Sequence, residues 1–454
     1  MIHLFERAGK RLVLDVGSGS VHILDAPAYA LLQALTCEDL QAGLLPEAVY
    51  KELTEFPKEN LQSAFSELCR LQQVGQLYTE DDYQEFAPQL GLSPVKAMCL
   101  HIAHDCNLRC KYCFASTGGF GGTRKLMSEE TAKQAVDLLV GLSGTRRNLE
   151  VDFFGGEPLM GMDVVKKTVA YARSREKEKN KNFRFTITTN GLLLNEDSID
   201  FINREMSNVV LSIDGRREVN DALRVRVDGR GSYDAVVPAF QQLVQRRGDK
   251  EYYVRGTYTR FNPDFDADVL ALYELGFDQI SVEPVVGPEK DDYSIREADI
   301  PALEASYERL MWEMIRRKKE KKGRFNFFHF MLDLEGGPCA LKRLRGCGSG
   351  NEYVAVTPDG EIYPCHQFVG NPDFLMGDVE QGIANLALKQ QFADANLLHK
   401  PDCQGCWAKF FCSGGCNANN YQFTGSVLKP YRMACVLEKI RLECAIGVQA
   451  ALAE

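Results

Sequence analysis

The stretch "HDCNLRCKYCF", His104–Phe114, sets Cys106, Cys110 and Cys113 within eight positions. Three close thiols, rather than two or four, can converge on one small object. Iron–sulfur clusters favour thiolates, and three of them leave one iron of a cubane without a protein ligand. A structural zinc ion wants four closed ligands. Cys99, His101 or His104 could supply the fourth, so the motif alone leaves both open. Just before it lies the strand-like run "AMCLHIA", and from Lys96 strand and helix patterns alternate six times. The later strands are "LEVDFF", "FRFTITT", "NVVLSID", "YYVRGTYT" and "DQISVEP"; helical patterns such as "SEETAKQAVDLLVGL" and "SYDAVVPAFQQLVQRR" stand between them. Repeated βα units demand a parallel sheet with right-handed crossovers. Six of them indicate an open, partial (β/α)6 barrel with its chemistry at the C-terminal ends of the strands. The triplet lies just past the first strand, where such a barrel keeps its site.

The rest of the composition bounds the function. At 454 residues the chain exceeds one ordinary core, so two or three domains are expected. It is 45% hydrophobic and 26% charged, as soluble globular proteins are. A net charge of −10 argues against a nucleic-acid partner. "MIHLFERAGKRLVLDV" holds no apolar run of signal-peptide length, and no stretch approaches the ~18 apolar residues of a membrane span. The expectation is a cytoplasmic protein with no membrane contact. In a reducing compartment, fifteen cysteines point to metal binding rather than disulfides. Nine of them lie from Cys339 onward.

Four regions follow. Residues 1–80 read as a small unit: a hairpin of "RLVLDV" and "VHILDA" joined by "GSGS", then three helical patterns ending near Gly75. This arrangement is winged-helix-like. Through Tyr78 it has six Lys/Arg against ten Asp/Glu, which disfavours DNA. Residues 81–95 fall in the acidic stretch "YTEDDYQEFAPQLGLSP", which carries two prolines and reads as a linker. Residues 96–325 form the barrel, closing on "RRKKEKKGR", the solvated end of a long helix. Residues 326–454 are cysteine-rich.

Other strand ends share the triplet's position. "GGEP" (Gly155–Pro158) closes the second strand, where glycines let backbone approach a ligand and Glu157 offers charge to a cationic group. "TTNG" (Thr188–Gly191) and "LSIDG" (Leu211–Gly215) close the third and fourth. In this order, "CNLRCKYCF", "GGEP", "TTNG" and "LSIDG" resemble the radical S-adenosylmethionine (SAM) enzymes. The resemblance implies that Cys106, Cys110 and Cys113 bind a 4Fe–4S cluster whose open iron chelates the amine and carboxylate of SAM. It further implies that Gly155, Gly156 and Glu157 hold the methionine amine, and that Asn190 and Ser212 face the ribose or carboxylate. Tyr112 would lie near the adenine, and Arg224 would pair with the carboxylate. An exposed structural arginine is the alternative there.

Cys347-x12-Gly360-x4-Cys365, then Cys403-x2-Cys406-x5-Cys412-x3-Cys416, then Cys435 resembles the SPASM extension of the same enzymes. The pattern implies two auxiliary 4Fe–4S clusters, three clusters in all. Cys403, Cys406, Cys412 and Cys435 would hold the outer one, and Cys347, Cys365 and Cys416 the inner one. Seven thiolates for two cubanes leave one place. Cys339 completes it, or an iron stays open for a substrate thiolate; His366 could ligate, or donate a hydrogen bond. A pair of zinc ribbons is the bland alternative. Cys37, Cys69, Cys99 and Cys444 read as small core residues.

In that family SAM yields a 5′-deoxyadenosyl radical that removes hydrogen from carbon, and auxiliary clusters accept the second electron of an oxidation. "LDVGSGSVHILDAPAYALLQAL" and "AFSELCRLQQVGQLY" resemble the peptide-recognition element of enzymes that modify ribosomal peptides. Such an element could bind a leader as an added strand. All regions together, with "GCGSGNEYVAVTPDGEIYPCHQFVGN" matching most closely, resemble the SCIFF (six-cysteine peptide) thioether maturases. The implied protein is an oxidoreductase joining a Cys sulfur to a carbon of another residue in a Cys-rich precursor peptide with a leader. It would draw electrons from a donor such as ferredoxin or flavodoxin. The alternatives are a carbon–carbon cross-linker, a sulfatase-type maturase, or an electron-transfer or zinc module without turnover.

Overall fold

A computed structural model describes residues 1–334 and 340–453. The chain opens with a three-stranded antiparallel sheet of β1 (Ile2–Arg7), β2 (Lys10–Asp15) and β3 (Val21–Leu24). Helices α1 (Ala26–Ala34), α2 (Cys37–Ala42), α3 (Glu47–Glu52) and α4 (Lys58–Gln73) follow. A hairpin and three helices were expected; β1 and α2 are the additions. The six-residue α2 is too short to show helical periodicity, and its start is fixed locally by a reciprocal Thr36–Asp39 capping box. β1 is held by its pairing with β2, from Ile2 opposite Asp15 to Arg7 opposite Lys10, which no local pattern announces.

The barrel is built from β4 (Ala97–Ala103), β5 (Leu108–Cys110), α5 (Glu129–Leu142), β6 (Asn148–Gly155), α6 (Met162–Lys179) and β7 (Asn182–Thr189). It continues through α7 (Glu196–Glu205), β8 (Asn208–Ser212), α8 (Arg217–Leu223), β9 (Arg224–Arg226), α9 (Tyr233–Gln245) and β10 (Glu251–Tyr258). It ends with α10 (Phe265–Glu274), β11 (Gln279–Pro284), α11 (Ile300–Lys319) and the two-residue β12 (Asn326–Phe327). The order β12-β11-β10-β8-β7-β6-β4 is parallel throughout, so the six expected strands form one open α/β barrel sheet. Val151, Phe153, Phe185, Ile187, Val209 and Leu211 are buried in the core cluster shared with the covering helices. The alternate positions, among them Asp152, Thr186, Thr188 and Ser212, are only half-buried and take the sheet's other face.

The cysteine-rich region is not a separate layer. After α12 (Ala340–Arg345), β13 (Tyr353–Val356) pairs in parallel with β4. β14 (Glu361–Tyr363), β15 (Gly377–Asp378) and β16 (Gly382–Ile383) extend the same sheet antiparallel, eleven strands in all. α13 (Leu386–Asp394), α14 (Pro401–Gln404), α15 (Lys409–Cys412) and α16 (Asn417–Thr424) carry the cysteine loops, and α17 (Arg432–Leu452) packs along α11. The N-terminal sheet docks on this end. Phe5, Leu12 and Leu14 pack with Ile446 and Ala450, and His3 stacks on Trp407 at 4.0 Å. The expected linker docks as well: Tyr83 stacks on Phe410 at 3.9 Å, and Asp81 pairs with the buried Lys409. Among the described residues no helix is long and apolar enough to cross a membrane. Cys69, Cys99 and Cys444 are buried and Cys37 half-buried. Cys339 lies outside the described residues.

Candidate active site

Cys106, Cys110 and Cys113 line one cleft at the C-terminal ends of β4, β6, β7 and β8. Tyr112, Gly155, Gly156, Glu157, Asn190, Ser212 and Arg224 line the same cleft, so every residue expected to meet the triplet's ligand is brought to it. Cys99, His101 and His104, the candidate fourth ligands for zinc, do not. Cys99 lies against Tyr353, while His101 and His104 meet each other at 3.0 Å beneath Phe120. Burial holds both imidazoles neutral, His104 down to about 4.

Two devices fix the triplet loop. β5 pairs antiparallel with β9, placing Cys110 opposite Arg224. The end of β6 presses on the loop's backbone: a Cβ on Gly156 would stand 2.1 Å from the Asp105 carbonyl oxygen, and one on Gly155, at φ +116°, 2.2 Å from that of Ala103. Only glycine permits this approach. The Cys106 sulfur accepts from the Leu108 amide at 3.4 Å and from the Asn190 side-chain amide at 3.5 Å. Burial pushes the free thiols of Cys106 and Cys110 up to about 12 and about 11. These thiols would be deprotonated only with a bound metal, so loading releases protons. Three thiols and amide donors to sulfur, with no fourth cysteine and no histidine lining the cleft among the described residues, fit a cubane with one open iron.

Glu157 is buried and raised above the usual carboxylate range by that burial. Its oxygens accept from the Leu159 amide (3.0 Å), the Thr189 hydroxyl (2.8 Å) and the Asn190 amide (2.8 Å). These donors fix the carboxylate's direction and leave acceptor capacity for one further donor.

Tyr112 and Arg224 belong to a network that sequence reasoning did not find. The Tyr112 hydroxyl donates to Asp214 at 2.7 and 2.8 Å, and the Arg224 guanidinium donates to that hydroxyl at 2.9 Å. Arg224 is 3.8 Å from the Asp214 carboxylate, and both are buried. Burial pushes Asp214 up to about 6 in spite of Arg224. The expected alternative of an exposed arginine is therefore not realised. Asp214 sits one residue past Ser212's neighbour in "LSIDG"; its strand-end position was its only signal. Thr189, which ends β7 within "TTNG", and Asn107, which lies inside the triplet motif and accepts from Asn190 at 2.8 Å, were not singled out either.

Further along the strand ends, Arg255 pairs with Glu283, and the Ser281 hydroxyl meets His329 at 3.1 Å. His366 is half-buried between Phe154 (5.0 Å) and Phe114 (5.4 Å), and its buried Nδ1 has no partner among the described residues. Asp152, on β6, is pushed by burial up to about 6. The folded protein thus holds this proton more tightly than an unfolded chain, whose aspartate titrates near about 4. The residue's favourable contribution is complete below about pH 4 and is lost as pH rises through about 6. Asp152→Asn removes that titration, so its melting temperature should gain on the parent's steadily between these pH values. Thermal melts across the range check this.

The other cysteines form two groups. Cys403, Cys406, Cys412 and Cys435 line a second cleft between α14, α15 and α17. The Cys365 thiol, raised by burial, also feels Cys416 and Cys347.

A parallel open barrel whose first strand feeds a three-cysteine loop defines a radical SAM protein, and the comparisons agree. Residues 100–276 match the radical SAM superfamily, and residues 347–407 match the SPASM iron–sulfur cluster-binding domain. The chain is a radical SAM enzyme with a SPASM domain, and its cofactors are SAM and 4Fe–4S clusters. It is 25% identical over 345 residues to a cysteine-type anaerobic sulfatase-maturating enzyme of Clostridium novyi (strain NT), spanning 69% of this chain and 86% of that one. It is also 25% identical over 351 residues to the PqqA peptide cyclase of Gluconobacter oxydans (strain 621H), spanning 74% and 88%. Among solved structures, anSMEcpe with bound AdoMet aligns at a TM-score of 0.66 with 20% identity, over 79% of this chain and 99% of that one. Streptococcus suis SuiB bound to its precursor peptide SuiA aligns at 0.55 with 14% identity, over 96% and 98%.

Proposed function

We propose that the chain is a peptide maturase of the SCIFF type, forming a thioether between a cysteine sulfur and a carbon of another residue in a Cys-rich precursor. The observation that carries this is the N-terminal unit. Among the described residues β3 has a neighbour on one side only, and a groove runs between its residues His22, Ile23 and Leu24 and α4's Asn60, Ser63 and Glu67. Ile23 is 42% exposed on that edge strand. An apolar, unpaired edge beside a groove suits an added peptide strand. The unit is docked on the end of the chain that carries the auxiliary cysteines. Peptide is also what the relatives meet: SuiB is solved with its precursor SuiA, and anSMEcpe with a Cp18Cys peptide.

In this reading Cys106, Cys110 and Cys113 hold the SAM cluster. Gly155, Gly156, Glu157, Asn190 and Ser212 bind SAM, while Tyr112 and Arg224 brace the wall beside it. Cys403, Cys406, Cys412 and Cys435 hold the outer cluster, and Cys347, Cys365 and Cys416 the inner. Bound SAM and its cluster supply hydrogen-atom abstraction from carbon. The chain's residues position the cofactor, exclude water and present the peptide from the N-terminal groove. The test is mass spectrometry of a Cys-rich precursor after reaction: loss of two hydrogens with one thiol blocked to alkylation supports a thioether. An unchanged thiol count indicates a carbon–carbon link instead. The match to the cysteine-type maturating enzyme favours a second reading, sulfatase-type oxidation, in which the thiol is lost without a cross-link.

The groove gives its own prediction. Ser63→Trp should fill it from α4's exposed side and weaken leader binding at least tenfold, about 1.4 kcal/mol. SAM cleavage without peptide should be unaffected. Calorimetric titration with a synthetic leader measures the first; equal affinity would overturn the leader site.

A further inference from the structure

Lys400 is 1% exposed, yet no carboxylate pairs with it among the described residues. Its ammonium donates to the Gly414 carbonyl at 2.9 Å and to the Asn417 side-chain oxygen at 3.0 Å. The other buried lysine of this region, Lys409, has Asp81 as its partner. Two neutral acceptors leave a full charge uncompensated, and a buried, unpaired charge is costly. The fold is nevertheless shaped to admit it. Gly414 lies at φ +80°, and a Cβ there would stand 2.5 Å from the lysine Cδ and 3.0 Å from its Nζ.

The place explains the charge. Lys400 precedes the loop of Cys403, and its ammonium reaches the turn between Cys412 and Cys416. Asn417, which follows Cys416, donates in turn to Ser349 at 3.2 Å, two residues past Cys347. As metal-bound thiolates, Cys403 and Cys412 from the outer set and Cys347 and Cys416 from the inner set would favour the charged ammonium. Cubanes ligated by thiolates are anionic, and nearby charge helps set their reduction potential.

We propose that Lys400 is a counter-ion shared by the two auxiliary clusters, stabilising their reduced, more negative states and so raising their reduction potentials. This rests on the reading that the seven cysteines hold two clusters. It makes Lys400 a positioning residue that acts through the clusters, without touching substrate.

The test uses cluster-loaded protein in which Cys106, Cys110 and Cys113 are alanine, so that only auxiliary clusters remain. Its iron and sulfide come first. Markedly fewer than about eight irons removes the two-cluster reading, and the shared counter-ion with it. With the clusters present, potentials are measured by electron paramagnetic resonance during redox titration. Lys400→Met should lower at least one auxiliary potential by a tenfold change in the one-electron equilibrium, about 59 mV. Lys400→Arg, which keeps the charge, should restore most of it. Unchanged potentials in Lys400→Met, or an arginine variant that behaves like the methionine one, overturn the proposal. If Lys400→Met fails to load iron, the iron-free proteins decide. There the lysine is an uncompensated charge, so the methionine variant should melt higher than its parent. A lower or equal melting temperature would mean that Lys400 serves packing alone, and the proposal falls.

Discussion

Replacing Cys106, Cys110 and Cys113 together by alanine is expected to abolish SAM cleavage while leaving about eight of about twelve irons in the protein. The separation follows from geometry. The triplet lines the cleft at the ends of β4, β6, β7 and β8, whereas the second cysteine cleft lies between α14, α15 and α17. The triplet loop is held by backbone: β5 against β9, and Gly155 and Gly156 against the chain at Ala103 and Asp105. Removing three sulfur atoms spares those contacts, so the fold and the auxiliary sites should persist. Iron and sulfide analysis, together with chromatography of the cleavage products, measures both halves. Cleavage persisting in the triple variant would contradict the triplet's assignment. Zinc in place of iron in the parent would end the whole account, since zinc neither exchanges electrons nor leaves a ligand place in a structural site.

The second large effect belongs to Arg224. Arg224→Met leaves Asp214 buried with no cation, and breaking one partner from a buried pair costs about 3–5 kcal/mol. Asp214 already stands at about 6 with the guanidinium nearby. Without it burial acts unopposed, and the carboxyl rises further. The destabilisation should therefore be greatest at neutral pH and shrink on acidification, as Asp214 takes a proton and needs no counter-charge. Because Arg224 also stands opposite Cys110 across β5 and β9, SAM cleavage should fall along with stability. Asp214→Asn in the same background removes the stranded charge and should recover much of the lost melting temperature. A double variant whose loss equals the sum of the two single losses would show that the pair is not coupled.

Much of the barrel was legible because its signals are local. A parallel strand covered by helices is apolar at every second position or nearly throughout, as β4 is apart from His101, and each of the six such runs became a strand. The residues expected at the cofactor share one cleft for the same reason. They stand at strand ends, and the C-terminal ends of parallel strands share one mouth. β1 and α2 escaped notice because pairing and a capping box define them rather than periodicity. The acidic stretch after Tyr78 read as a linker, but Asp81 and Tyr83 have partners more than three hundred residues away.

By itself the sequence determined the class of chemistry: cysteine spacing limits which ligands can meet, and short spacings survive any folding of the rest. What only the tertiary structure decided is how the parts join. It made the cysteine-rich region a continuation of the barrel sheet through β13 beside β4. It turned Arg224 inward onto Tyr112, and it set the Lys400 ammonium on the turn between Cys412 and Cys416. These are contacts between distant residues, fixed by burial and charge compensation in three dimensions, and no spacing along the chain records them.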